Sequence, residues 1–475
     1  MRRDETKKRE LEILAKEYER KSQLFERKTF VDSTEVLENL GIFIKDKKRL
    51  PLGYLKFWPQ DFIVEEIPRE EKTQTIDMGF FINKEKEFQE GSPTIYATLV
   101  KCGLSTIEAI GEIASFLRTE NKNIQFAGIK DKDAITSQLI SFRNTKIESL
   151  KEINSPYFFL KNIYSGKGVV EIGGLKGNEF TVLIRTDDAF QKKEFWENLK
   201  KIEREGFYNF FYLQRFGTPR LINWTWGLLI LKGEYEKVVL SFLSSPGRRE
   251  LTYFKKLRNK IKENWKDWQK IEKFLEPFPI IFRNEKRVVS YLKNNPGDFV
   301  GALNQIPKQI RLWVFAYSSL LFNKRLSLYL KRDAGPPQKI PLILSRDEND
   351  WLFYKDFLLK NKIFSVPFRN LKPFPYIQWK KREIKTKEKV KIHQVKVIPE
   401  GIILNFSLPK AAYATTFLSH LFQLVSGHPP RDISSHLVDI KATLGEESLE
   451  NALNKFKDII YPKTENIFEK LSQNE

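Results

Sequence analysis

Cysteine is nearly absent: Cys102 is the single thiol in 475 residues. One thiol closes no intramolecular disulfide and builds no cysteine-based metal site. The four histidines, His393, His420, His428 and His436, show no metal-ligand spacing. There is no P-loop, no dinucleotide fingerprint and no internal repeat, so chemistry without metal or cofactor is expected. Apolar runs stay short of the roughly 18–20 residues that a spanning helix needs, so no membrane partner is expected. The charged N-terminus lacks the apolar core of a secretory signal. A cytoplasmic, monomeric protein is the expectation. Acidic residues are outnumbered, 61 Asp+Glu against 82 Lys+Arg, for a net charge of +21. A polyanion, nucleic acid first, is the partner that such an excess favours. A lysine-biased genome would raise the same count without any such role.

What is present is enough for a folded protein of two or three domains, with 41% hydrophobic and 13% aromatic residues. The stretch Gln125–Gln138 holds the most suggestive chemistry. An apolar run from Ile124 to Ala127 reaches Gly128 and then Lys130-Asp131, and alternation resumes from Ala134 to Ile140. The pattern predicts strand, sharp turn, strand, with Asp131 at the bend. Gly128 suits a bend or a close backbone approach. Lys130 and Lys132 beside Asp131 would favour its ionised form, as a carboxylate nucleophile or base requires. The same residues also make an ordinary charged hairpin turn.

Along the chain, residues 1 to about 30 predict a charged helix with a thin apolar stripe. Leu55, Phe57, Phe62, Val64 and Ile67 predict two strands around a Trp-Pro-Gln-Asp turn. Ser105 and Glu108 have the spacing of a capping box, opening a helix with Ile110 and Ile113 on its face. Asp188 is a candidate cap for a helix ending at Glu205-Gly206. Phe207–Gly217 is the most aromatic segment; it is either a core strand with polar ends or a wall for a planar base, with Asn209, Gln214 and Arg215 as polar contacts. Basic-faced helices are predicted at 235–244, about 250–274 and about 308–331. A strand is predicted at 397–407, then a Pro turn and a helix carrying Phe417, Leu418, Leu421 and Leu424 up to Gly427. The remainder reads as one or two amphipathic helices.

Six blocks in order carry a resemblance: Lys56-Phe-Trp-Pro-Gln-Asp-Phe-Ile-Val-Glu65, Lys101-x-Gly-x-Ser-Thr106, Phe126-Ala-Gly-Ile-Lys-Asp-x-x-Ala-x-Thr-x-Gln138, Leu175-Lys-Gly-Asn-x-Phe180, Asn209-x-Phe-x-x-Gln-Arg-Phe-Gly217 and Leu408-Pro-x-x-x-Tyr-Ala-Thr415. Together they resemble the TruD-type tRNA pseudouridine synthases over about 50–220 and 395–425. The resemblance implies an α+β fold. A catalytic domain with a mixed, largely antiparallel central sheet would occupy 49–234 and 386–430. A mainly helical insertion domain would occupy 235–385, flanked by an N-terminal helical extension (1–48) and a C-terminal helical tail (431–475). It implies isomerisation of uridine to pseudouridine in tRNA, most typically at position 13 of the D-arm, without a cofactor. By the same resemblance Asp131 is the catalytic aspartate, and Lys56 an active-site lysine. Phe62, Asn209 and Phe211 line the pocket, while Lys130 and Arg215 are expected to contact substrate. Tyr212, Ser105, Ala411 and Ser419-His420 depart from the family's usual Gly, Asn, Gly and Arg-Glu. Another structured RNA as substrate, a non-catalytic RNA-binding protein, and a glycoside hydrolase pairing Asp131 with Glu65 or Glu66 are the rival readings.

Overall fold

A computed structural model describes residues 2–69, 72–77, 94–186, 193–344, 347–364, 368–378, 380–430 and 432–460. The chain forms two compact units, Asp46–Tyr208 with Glu388–Glu475, and Met1–Lys45 with Asn209–Lys387.

The first unit is built on one large sheet. Its strands are β1 (Leu52–Leu55), β2 (Phe62–Pro68), β3 (Thr94–Cys102), β4 (Ile124–Phe126), β5 (Ile135–Arg143), β6 (Phe158–Gly166), β7 (Leu175–Arg185), β8 (Lys391–Ile398), β9 (Gly401–Pro409) and β10 (Gln423–Gly427). They run in the order β10-β1-β7-β2-β5-β3-β6, with β9 also on β7, β8 outside β9, and β4 on β5. The β10/β1 and β2/β5 pairs are parallel and the other pairs antiparallel. This is the mixed, mainly antiparallel sheet of an α+β fold.

Both faces of the central strands are covered, so that even the polar Glu65, Glu66, Thr136, Ser137, Gln138 and Ser141 of β2 and β5 are buried. On one face the Thr106–Phe116 helix packs Ala109, Ile110, Ile113 and Ala114 against Ile95, Leu99, Ile140 and Phe142. The capping box forms as the spacing predicts: Glu108 N–H donates to Ser105 Oγ at 3.3 Å and Ser105 N–H donates to Glu108 Oε2 at 3.0 Å. On the other face Ile440, Leu444, Ala452, Phe456 and Ile460 join Ile63, Val100, Ile135 and Ile403 in one core. The segment read from sequence as a C-terminal tail thus contributes core residues up to Ile460; 461–475 lie outside the described residues, as does Asp188.

The helix expected to reach Gly427 stops at Ser419, and Gln423–Gly427 is strand β10 instead. Lys47 explains the stop, its ammonium donating to the carbonyls of Ser419 and Phe422, both at 2.5 Å. The Gly177 of the fourth sequence block lies where β7 meets β9, and a Cβ there would collide with the carbonyl of Leu408.

The second unit is mainly helical. Its centre is the 25-residue helix Pro307–Lys331, against which Asn223–Leu231 packs. Gly227 makes that contact close, since any Cβ would strike the Trp313 carbonyl. Residues 209–234, assigned from sequence to the catalytic domain, therefore pack in this unit. The single helix expected at about 250–274 is two, Thr252–Glu263 and Trp268–Leu275. The break falls where Lys266 takes φ 75° and the Asp267 side chain caps the second helix through Lys270 N–H. The N-terminal helix Arg2–Arg20 belongs here too, with the buried Glu10 carboxylate accepting from Ile280 and Ile281 N–H at 2.7 and 3.2 Å.

Candidate active site

Strand register gathers the site in the sheet unit. Ile135 at the start of β5 faces Ile63 of parallel β2 and Cys102 of antiparallel β3. The beginnings of β2 and β5 and the end of β3 therefore meet at the turn that carries Asp131. Strands β1 and β2 both pair with β7, at Leu55↔Ile184 and Phe62↔Val182, and the chain leaves the sheet between them. Lys56 starts that excursion with φ 59°. Asp61 pins its far end through two bonds from Arg185, Nε to Oδ2 at 2.7 Å and Nη2 to Oδ1 at 2.9 Å. Both side chains are fully buried, so neither could lose its partner without leaving an uncompensated charge in the core.

This geometry sets Lys56 Nζ 3.3 Å from Asp131 Oδ2, with the two side chains 18% and 43% exposed. The carboxylate is reachable from solvent and already faces a cation. The same ammonium lies 4.2 Å from the centroid of the Phe62 ring. Phe62 itself is only 1% exposed and packs edge-on to Phe180, so it supports Lys56 from below.

The main chain of the turn is held from several sides. Lys130 N–H donates to Thr106 Oγ1 at 2.9 Å, Thr106 donates to Gln138 Oε1 at 2.8 Å, and Gln138 Nε2 donates to the Gly128 carbonyl at 3.0 Å. Lys101 Nζ donates to the carbonyls of Asp131 at 2.6 Å and Leu104 at 2.8 Å. Burial pushes the Lys101 ammonium down to about 8, against the pull of Asp131. A Cβ on Gly128 would meet nothing within 4 Å among the described residues, so the close approach that this glycine suggests is not to them.

Lys130 is buried and ion-paired with Glu66 at 2.6 Å, and it also donates to Asn178 Oδ1 at 2.6 Å. Glu65 is paired with Lys441 at 2.7 Å and accepts from Ile76 N–H at 2.8 Å. Burial raises its pKa, with Lys441 opposing. Both glutamates that a glycosidase mechanism would recruit are thus inside the sheet and committed to lysines.

The remaining sequence candidates lie in the helical unit. Asn209 and Phe211 are 7% and 8% exposed. Asn209 Nδ2 donates to the Lys385 carbonyl at 3.2 Å, and Asn209 N–H to the Thr386 carbonyl at 2.9 Å. Phe211 is fixed by Asn323, which accepts from its N–H at 2.9 Å and donates to its carbonyl at 2.8 Å. The Arg215 guanidinium stands 5.1 Å from the Phe211 ring centroid. Sequence reading did not single out Lys101, Thr106, Gln138 or Asn178, although each falls inside one of the six blocks; Glu66, raised there only as a glycosidase acid, lies just past the first. Their positions in those blocks were the available signal; only the long-range register shows what they hold.

The "Putative tRNA pseudouridine synthase D (TruD)" of Methanosarcina mazei has the same fold: its crystal structure superposes with a TM-score of 0.59 at 23% identity, covering 82% of this chain and 98% of that one. The sequence model for tRNA pseudouridine synthase D (TruD) matches residues 41–340. tRNA pseudouridine synthase D of Aquifex aeolicus is 28% identical over 413 residues, 78% of this chain and 97% of its own. The "Probable tRNA pseudouridine synthase D" of Thermococcus sibiricus is 33% identical over 331 residues, 67% of this chain and 71% of its own. The chain belongs to the TruD family of tRNA pseudouridine synthases, which are isomerases.

Proposed function

We propose that this protein converts uridine to pseudouridine in tRNA, at position 13 of the D-arm, with Asp131 as the catalytic carboxylate. The observation that carries the reading is the exposed Asp131 carboxylate held 3.3 Å from Lys56 at the meeting ends of three strands. The reaction breaks the N1–C1′ bond, turns the uracil and forms a C5–C1′ bond. C5 gives up its proton as it bonds to C1′ and N1 takes one up, so the balance needs no co-reactant. A carboxylate below the ribose either attacks C1′ or takes the 2′ proton, and in both roles it acts as an anion. Lys56 orients it and balances its charge.

The target base must leave the RNA stack to reach such a carboxylate. Asn209, Phe211 and Arg215 are assigned to RNA contact, with an amide for an edge, a ring for stacking and a guanidinium for phosphate. Phe62 and Lys130, both buried, serve the site through Lys56 and the turn backbone. The test is incubation with unmodified tRNA followed by carbodiimide primer-stop mapping. A stop at position 13, absent for Asp131→Asn, is expected, while that variant still binds tRNA. Retained turnover by Asp131→Asn would remove the assignment. A stop elsewhere would move the target uridine, and no stop with intact binding would favour a binding-only role.

A further inference from the structure

We propose that Lys101 is a positioning residue for the reaction: by donating to the main-chain carbonyls of Asp131 and Leu104, it fixes the point from which the Asp131 side chain projects. The inference rests on Asp131 being the catalytic carboxylate. Lys101 is fully buried at the end of β3, and an ammonium there is strongly disfavoured unless its surroundings compensate. The hydrogen bonds that compensate run to two backbone carbonyls in adjoining turns, at 2.6 and 2.8 Å. A methionine or leucine in a strand flanked by Val100 and Cys102 would serve the core at no such cost.

The other clamps on this turn act elsewhere. Thr106 holds Lys130 N–H, Gln138 holds the Gly128 carbonyl, and the Lys130 side chain is spent on Glu66 and Asn178. Lys101 is the charged donor on the carbonyl of Asp131 itself. That carbonyl lies one rotatable bond from the Cα–Cβ bond carrying the carboxylate. The side chain beyond is 43% exposed and meets Lys56 at only 3.3 Å, so its direction depends on how firmly its backbone is held. A charge-assisted bond is shorter and firmer than a neutral one. The lysine's burial also pulls its own proton affinity down, to about 8, as expected of a cation kept where desolvation opposes it.

Misplacing a reacting group by about 1 Å costs on the order of 10²-fold in rate. The experiment compares wild type, Asp131→Asn, Lys101→Met and Lys101→Gln in single-turnover kinetics on unmodified tRNA, with tRNA affinity and thermal melting measured on the same preparations. Lys101→Met keeps the stem and loses the donors. Its rate is expected to fall roughly 10- to 100-fold, with tRNA affinity within about threefold of wild type. Lys101→Gln donates from a stem one bond shorter, and is expected several-fold below wild type and above Lys101→Met. Should Lys101→Met fail to fold, Lys101→Gln carries the test alone: a reduced rate at unchanged affinity supports the proposal, and a wild-type rate overturns it. Folded Lys101→Met with wild-type rate also overturns it, as does a loss in affinity that accounts for the whole loss in turnover. If Asp131→Asn itself turns over, the catalytic assignment fails first; if Asp131→Asn is inert while both Lys101 variants are fully active, only this inference fails.

Discussion

Asp131 keeps its carboxylate in solvent while Lys101, Lys130 and Thr106, which hold its turn, are buried. Its carbonyl, the preceding N–H and the Gly128 carbonyl are each engaged, while the carboxylate faces Lys56 and stays open to a substrate. Preorganisation of this kind is what lets a single carboxylate act without waiting for the protein to rearrange. A different residue shows the opposite economy. Ala411 stands where the family resemblance has glycine, and it takes φ 69°, a left-handed conformation that costs a Cβ-bearing residue about 1 kcal/mol. Ala411→Gly is therefore expected to raise the unfolding free energy by roughly 0.5–1 kcal/mol, in urea melts with an unchanged slope. A fall in stability would mean that the lost methyl or the entropy of the unfolded glycine outweighs the relieved strain.

At the scale of elements, the strand ends explain why some of the site could be read in one dimension. The bend at Asp131 was legible because strand, turn and strand are contiguous, and alternation marks them. Lys56 and its Trp-Pro-Gln-Asp turn were legible for the same reason. Lys101 was not, because its role depends on Cys102 facing Ile135 across β3 and β5, a pairing that local sequence does not encode. Phe62 was expected to line the pocket, yet its place under Lys56 follows from the β2/β7 pairing rather than from its chemistry. The helix expected to run to Gly427 failed on a tertiary contact, the Lys47 ammonium on the carbonyl of Ser419, its last residue, and on that of Phe422 beyond it.

That short helix also carries a pH dependence. His420 follows it, with Nδ1 2.8 Å from the Thr416 carbonyl and its ring 5.9 Å from Phe207. Burial pushes the imidazole down to about 4. Below pH 6.5 the unfolded chain takes up this proton and the native chain does not until about 4. The unfolded state then binds more protons, so stability is lost as pH falls through that window, by at most about 1.4 kcal/mol per unit. Urea melts from pH 7 to 4 should show this slope in wild type and a shallower one in His420→Leu. Identical slopes would mean that the ring is protonated in the native state.

Across the whole molecule, the excess of 82 basic over 61 acidic residues makes a claim that sequence alone could not separate from compositional bias. If these charges meet phosphates, tRNA affinity should weaken at least tenfold between about 50 and 200 mM salt, through counterion release, and equally so for Asp131→Asn. An affinity indifferent to salt would return the lysines to the genome's bias. The division into units was only partly legible. The helical character of 235–385 showed in its periodicity, but the packing of 209–234 against Pro307–Lys331 depends on a glycine, Gly227, whose purpose is visible only beside Trp313.

The Glu65–Lys441 pair has a consequence in time. The strand that begins at Phe62 places a carboxylate inside the sheet, and the lysine that neutralises it is encoded 376 residues later. A ribosome working from the N-terminus releases Asn209–Lys387, most of the helical unit, before Lys441 has been made. Until then the half-built sheet carries an unanswered charge and an uncovered face, because Phe456 and Ile460 are also still to come. The site strand therefore waits on the last part of the message, and a chain cut short before it carries Asp131 without the finished sheet that presents it.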